Sequence, residues 1–197
     1  MERPTKDQIR ALPLYVGLSL LEIKIIENEV DAADALKELE NEDCLGFDTE
    51  SKPIFRKGEV CPGPTLIQLA TESKGFLLPT RFPAAMALAI KILSDPQIKK
   101  VGFGIKGDNK ELRHKLNINI ANTEDLSITL KNLVGEKNSI GARAAVAMVL
   151  KLRLGKGAQQ SNWGAYPLQN NQILYAANDA HSAICIAKSL SETSTGR

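Results

Sequence analysis

Apolar residues recur along this chain with two different periods, and the change of period marks the elements. Residues 22–28, EIKIIEN, alternate well enough for a short strand. Residues 30–41, VDAADALKELEN, have helical spacing, with Asp31 as the expected N-cap. Three compact apolar runs follow, CLGFDTE, TLIQLAT and GFLLP, each of strand length. Their separators, KGEVCPGP and ESKG, are rich in turn residues and predict antiparallel, hairpin-like connections. The pattern then alternates: a helix over PAAMALAIKIL, a strand over KKVGFGI, a helix over GDNKELRHKLN and a short strand near NTEDLS. From SITLKNLV to AKSLSE the spacing is mostly helical, broken by GKGAQQSNWGAYP. The first twenty residues read as a partly ordered lead-in and ETSTGR as a frayed end. Three antiparallel strands followed by helix–strand units imply an α/β fold, a mixed sheet with helices on its faces.

Acidic residues sit at informative places in that frame. Asp48 and Glu50 end the apolar run CLGF. Side chains on a strand repeat every two residues, so both carboxylates leave the same face. Two like charges at the end of a buried strand are costly unless something compensates them, and a metal ion is the natural compensation. Asp108 follows a glycine at a strand-to-helix junction, where an aspartate serves equally as a cap. Tyr175 and Asp179 are four apart in LYAANDAHSA, which places phenol and carboxylate on one helix face. An aspartate in a helix middle is unfavourable and calls for a reason, whereas a tyrosine there serves readily as core packing. Clustered hard oxygen ligands suit Mg²⁺ or Mn²⁺, and two such ions about 4 Å apart form a clamp for in-line attack on a phosphodiester.

Composition adds limits. The 197 residues fit one domain, with 43% hydrophobic and 24% charged residues, ordinary for a globular chain. No apolar run approaches the length of a membrane span, and no signal-peptide core is evident, so no membrane association is expected. The three cysteines lack metal-type spacing; Cys44 and Cys185 lie in apolar runs and are expected as buried thiols, in a reducing, cytoplasmic setting. With two histidines, a zinc site is not expected. The net charge of +2 does not by itself argue for nucleic acid. Its distribution says more: basic residues gather in 52–57, at Lys99, Lys100, Lys106 and Lys110, through 113–115, and in 151–156.

The motifs FDTESKP, LIQLATES, GFGIKGDNKEL, SNWGAYPL and LYAANDA, in that order, resemble those of the DEDD-superfamily 3′–5′ exonucleases of the tyrosine-bearing subclass. The chain is similar to the catalytic domain of ribonuclease D and to the exonuclease domain of the Werner syndrome protein, over about residues 23–190. Gly104 stands where the second motif often has an asparagine, which leaves the acidic set intact. The resemblance implies a ribonuclease H-like fold and one exonuclease domain over residues 1–197. It implies two divalent cations, Mg²⁺ or Mn²⁺. Asp48 would bridge both, Glu50 would bind one and touch the terminal 3′-hydroxyl, and Asp179 would bind the first. Asp108 would hold the second through water, and Tyr175 would orient the attacking water. His181 is read as structural, because it points to a different side of the helix from Tyr175 and Asp179.

The expected partner is nucleic acid with a free 3′ end, single-stranded or 3′-overhanging, cut to nucleoside 5′-monophosphates. Lys52, Phe55, Arg56 and Lys57, after the catalytic strand, offer phosphate contacts and a stacking ring, and Thr49 is counted with them. Trp163 either walls the terminal nucleotide or anchors the last helix in the core. Glycines in GFGIKG do not make a dinucleotide fingerprint, and no P-loop is present. The alternative is a non-catalytic nucleic-acid-binding or scaffold protein on the same fold, which could lose an acid without unfolding. The motifs leave DNA against RNA open.

Overall fold

The structure, a computed structural model, describes residues 2–54, 60, 62–155 and 157–195. Six strands form one mixed sheet: β1 (Ile23–Ile25), β2 (Cys44–Ser51), β3 (Pro64–Ala70), β4 (Gly75–Pro79), β5 (Lys99–Gly102) and β6 (Thr123–Asp125), in the spatial order β1-β4-β3-β2-β5-β6. As expected, β2, β3 and β4 are antiparallel neighbours, and β5 and β6 add in parallel on the far side of β2. The short strand β1 closes the other edge, parallel to β4.

Seven helices are present among the described residues: α1 (Lys6–Ala11), α2 (Glu29–Leu39), α3 (Pro83–Ser94), α4 (Lys106–Leu116), α5 (Leu126–Val134), α6 (Ala142–Val149) and α7 (Asn170–Thr195). Strand alternation sorts them to two faces. Phe47, Ile67, Leu69, Phe76 and Leu78 join the core that includes α2, α3 and Leu112 of α4. On the other face, Leu66, Ala70, Leu77 and Val101 meet α5, α6 and α7. Gly46 shows how tightly α7 is laid down. A Cβ there would sit 1.9 Å from the Ala180 carbonyl oxygen, so any side chain would push α7 off β2.

Several sequence expectations need correction. The N-cap of α2 is Asn28, not Asp31: the Asn28 side chain accepts from the Asp31 amide, and Asp31 falls in the first turn. The acid is favourable there against the helix dipole, so both residues suit a helix start and spacing alone did not choose between them. The strand expected over 99–105 stops at Gly102, because Gly104 turns the chain with φ +69 into α4. The lead-in carries a helix, α1, with a Thr5–Gln8 capping box. Cys44 and Cys185 are half-buried free thiols rather than core residues; Cys61 lies outside the described residues. Lys99 and Lys100 do not form a basic surface patch. Lys100 is buried, donating to the carbonyls of Ile92, Asp95 and Ile98, and Lys99 pairs with Glu124. No helix among the described residues is long and apolar enough to cross a membrane.

Candidate active site

Three elements bring the acids toward one place. The second half of β2 carries Asp48 and Glu50 on the face that α7 covers, with Gln68 of β3 directly opposite Asp48. Helix α4 starts beyond the end of β5 and delivers Asp108 from the other face. The Thr49 hydroxyl donates to Asp108, and the Thr49 amide donates to Asp48 at 2.8 Å. Thr49 therefore ties the first acid of the strand to the acid of the helix. Helix α7 contributes Asp179, and Tyr175 one turn earlier hydrogen-bonds its carboxylate.

The electrostatics of this group are unfavourable as it stands. Burial, and then the charges of Asp179 and Asp108, hold the Asp48 carboxyl well above the usual carboxylate range. The same causes push Glu50 up to about 8. Burial raises Asp179 to about 6, against the pull of the Tyr175 hydrogen bond and of Arg143. Burial also raises Asp108, opposed chiefly by the Thr49 bond. Desolvation and the neighbouring acids push the Tyr175 phenol up as well, so it stays protonated and available as a donor. Among the described residues, no three acidic, histidine or cysteine side chains are gathered closely enough to complete an ion's coordination by themselves. The donor set, four carboxylates with raised affinity for positive charge, is the kind that hard divalent cations take.

A pH dependence follows. The native state holds protons on Glu50 and Asp179 at values above the ordinary 4.5 and 3.8. A native state that binds more protons than the unfolded chain loses stability as pH rises. In the presence of a chelator, stability is therefore expected to be greatest near pH 4 and to decline up to about pH 8, the Glu50 value. Urea midpoints measured across that window check it, and a flat or rising curve contradicts the mutual repulsion. Saturating Mg²⁺ or Mn²⁺ is expected to flatten the decline.

The surroundings hold the site acids firmly. Tyr175 lies against Trp163, with ring centroids 6.1 Å apart. Trp163 is only 3% exposed, its carbonyl accepts from the Thr65 hydroxyl, and its indole N–H has no hydrogen-bond partner among the described residues. It also lines a cleft of about 280 Å³ together with Leu66, Arg81, Tyr166 and Leu168. Lys52 is exposed and passes over Gly164. Phe55, Arg56 and Lys57 lie outside the described residues.

On the far side of α7, Asn178 and His181 anchor the amino-terminal segment. Asn178 accepts from the Leu18 amide and donates back to its carbonyl; Gly17, at φ +59, leaves room for that amide. His181 has one ring nitrogen 2.6 Å from the Tyr15 hydroxyl and the other 2.9 Å from the Glu72 carbonyl oxygen. Each ring nitrogen has a hydrogen-bond partner in the surrounding structure. His181 is thus a structural residue, as its helix face implied.

Two residues near the acids escaped the sequence reading. Arg143 of α6 is the cation that acts on Asp179. Only the packing of α6 on α7 brings it there. Gln68 is fully buried and neither of its amide atoms has a partner among the described residues. A signal for Gln68 did exist, an amide in the middle of the apolar strand TLIQLAT.

A family description, 3′–5′ exonuclease, matches residues 23–194. The chain belongs to this 3′–5′ exonuclease family. A 3′–5′ exonuclease of Arabidopsis thaliana is 30% identical over 158 residues, spanning 75% of this chain and 52% of that protein. The bifunctional 3′–5′ exonuclease/ATP-dependent helicase WRN of Mus musculus is 28% identical over 164 residues, 80% of this chain and 11% of the relative. The chain thus spans about half the length of the first of these relatives, and much less of the second. Among solved structures, the Aedes aegypti Nibbler EXO domain superposes with a TM-score of 0.78 at 22% identity, covering 91% of each chain. The fold of the exonuclease family is ribonuclease H-like, with the mixed sheet described above.

Proposed function

We propose that this chain is a two-metal-ion 3′–5′ exonuclease of the tyrosine-bearing DEDD subclass. It hydrolyses the terminal phosphodiester of single-stranded or 3′-overhanging nucleic acid and releases nucleoside 5′-monophosphates. One observation carries the reading. Asp48, Glu50, Asp108 and Asp179 arrive from three separate elements into one electrostatically coupled group, with the Tyr175 phenol hydrogen-bonded to Asp179.

Asp48, Glu50, Asp108 and Asp179 are the residues that would hold the cations. When bound, Mg²⁺ or Mn²⁺ supplies charge neutralisation for the phosphodiester and lowers the pKa of water. The protein's own groups do the positioning. The Tyr175 hydroxyl, protonated and set by Asp179 and the Trp163 ring, orients the attacking water. Glu50 contacts the terminal 3′-hydroxyl, which restricts cleavage to a chain end. Lys52, just after the catalytic strand, meets phosphate, and Phe55, Arg56 and Lys57, which follow it in sequence, would serve the same strand. Thr49 joins them at the substrate, with its hydroxyl donating to Asp108. Trp163 backs the tyrosine ring and would wall the terminal nucleotide from there. Water attacks phosphorus, the P–O bond to the penultimate 3′-oxygen breaks, and that oxygen takes up a proton. Backbone contacts and stacking dominate such binding, so sequence preference is weak.

Digestion of matched single-stranded RNA and DNA, labelled at the 5′ end, tests this reading. A ladder shortening from the 3′ end is expected in Mg²⁺ or Mn²⁺, with loss of activity in EDTA and recovery on adding the ion back. A 3′-phosphate is expected to slow it. Full activity after exhaustive chelation, or early release of mid-chain fragments, defeats the proposal.

A further inference from the structure

On the side of β3 that α7 covers, Leu66, Gln68 and Ala70 alternate with Ile67 and Leu69 of the opposite face. Leu66 and Ala70 are core residues, and Gln68 is an amide buried as deeply as they are. Neither its side-chain nitrogen nor its side-chain oxygen has a hydrogen-bond partner among the described residues. Burying both ends of an amide without partners costs free energy that an apolar side chain of similar size would not. Such a group calls for a reason.

The strand register defines its surroundings. Gln68 pairs with Asp48 on one side and with Leu77 on the other. The next row of the sheet, Gly46–Ala70–Gly75, is closed off by α7: a Cβ on Gly46 would meet the Ala180 carbonyl oxygen at 1.9 Å, and one on Gly75 would meet the Ala177 Cβ at 3.0 Å. The row before it is Glu50–Leu66–Pro79. Of these sheet neighbours only Asp48 and Glu50 are polar. Asp48 lies directly opposite, where paired side chains have Cβ atoms about 4.5–5.5 Å apart, and Glu50 lies on the diagonal. The Asp48 carboxylate accepts the Thr49 amide of its own strand. Gln68 is placed to supply a second donor, from the neighbouring strand.

We infer that Gln68 is a positioning residue for Asp48: with cations bound among the acids, its amide N–H donates to the Asp48 carboxylate and fixes the orientation in which that carboxylate holds them. The inference deepens the two-metal reading above and rests on it. A carboxylate that binds a cation keeps its charge, and hydrogen bonds to an ionised acceptor are shorter and stronger than those between neutral groups. Carboxylates that ligate ions are themselves held by hydrogen bonds, and losing such a partner costs about 10–100-fold in ion affinity or activity. The amide is thus unpaired in the ion-free protein and engaged in the loaded one. Gln68 is uncharged, so it holds the acid without adding to the repulsion among the four.

The test is Gln68→Met, which keeps an unbranched side chain of similar length and removes both polar atoms. Mn²⁺ affinity, measured calorimetrically with no nucleic acid present, is expected to weaken about 10–100-fold. The melting temperature in EDTA should rise by about 2–4 °C, because two unpartnered buried atoms are gone. A role in packing alone gives the reverse, a lower melting temperature with ion affinity unchanged. The wild-type protein supplies a second readout that needs no variant. In a proton–nitrogen correlation spectrum, the Gln68 side-chain amide should move downfield on adding Mg²⁺ and exchange with solvent more slowly than in EDTA. That measurement carries the test should Gln68→Met fail to fold. Wild-type ion affinity in the folded variant would overturn the inference. So would lost affinity accompanied by a lower melting temperature in EDTA, or a side-chain amide that Mg²⁺ leaves unmoved. None of these measurements needs cleavage. A wild-type protein that binds the ions with this dependence on Gln68 but leaves nucleic acid intact refutes the exonuclease reading and leaves the positioning role in place.

Discussion

Asp48→Asn is expected to lower the rate of terminal cleavage on the order of 10³–10⁴-fold, which corresponds to several kcal/mol of transition-state stabilisation. The side chain keeps its size and loses its charge. Asp48 is also the acid most opposed by its surroundings, through burial and then through Asp179 and Asp108. The same substitution should therefore raise the melting temperature of the chelated protein near neutral pH, because burying Asp48 requires either taking up a proton or keeping a repelled charge, and asparagine requires neither. Activity and stability move in opposite directions, which a simple packing defect cannot produce. Single-turnover cleavage alongside thermal melting in EDTA measures both. A variant retaining activity within tenfold of wild type removes Asp48 from the mechanism. One that melts lower in EDTA shows the carboxylate to be a structural partner instead.

Tyr175→Phe separates positioning from ion binding. The phenyl ring keeps its contact with Trp163, and only the hydroxyl that bonds Asp179 is lost. Groups positioned for proton transfer are worth about 10²–10⁴-fold, so cleavage should slow by that order. Mn²⁺ affinity, measured calorimetrically, should stay near that of wild type because the carboxylate set is complete. A wild-type rate assigns the ring to core packing and dismisses the tyrosine-bearing mechanism. Loss of ion affinity together with activity shows that the hydroxyl serves by holding Asp179, a role its hydrogen bond makes physically concrete.

The basic residues teach the limits of reading charge from sequence. Lys99, Lys100, Lys106 and Lys110 form one cluster on paper. In the fold, Lys100 turns into the core to satisfy three carbonyls, Lys99 pairs across to β6, and Lys110 lies along a groove between α4 and residues 118–120. Neighbouring positions on a strand point to opposite faces, and a helix turns its residues around its axis, so proximity in sequence does not become a patch in space. Arg113 and His114, grouped with Lys115 in the sequence, are the ones that join Lys110.

What the sequence by itself determined was periodic and local. The alternation in CLGFDTE placed Asp48 and Glu50 on one strand face, and the four-residue interval placed Tyr175 with Asp179 on one helix face. Both are consequences of backbone geometry that no tertiary contact has to supply. The antiparallel order of β2, β3 and β4 was equally legible, because their connections carry turn residues. Tertiary structure decided the rest. It chose Asn28 over Asp31 as the α2 cap and engaged the Thr49 hydroxyl on Asp108. It buried Trp163 behind Tyr175, left Gln68 without a partner and brought Arg143 from α6 toward Asp179. Each of these depends on which elements pack together across long stretches of chain, and burial and cross-element charge exist only once they do.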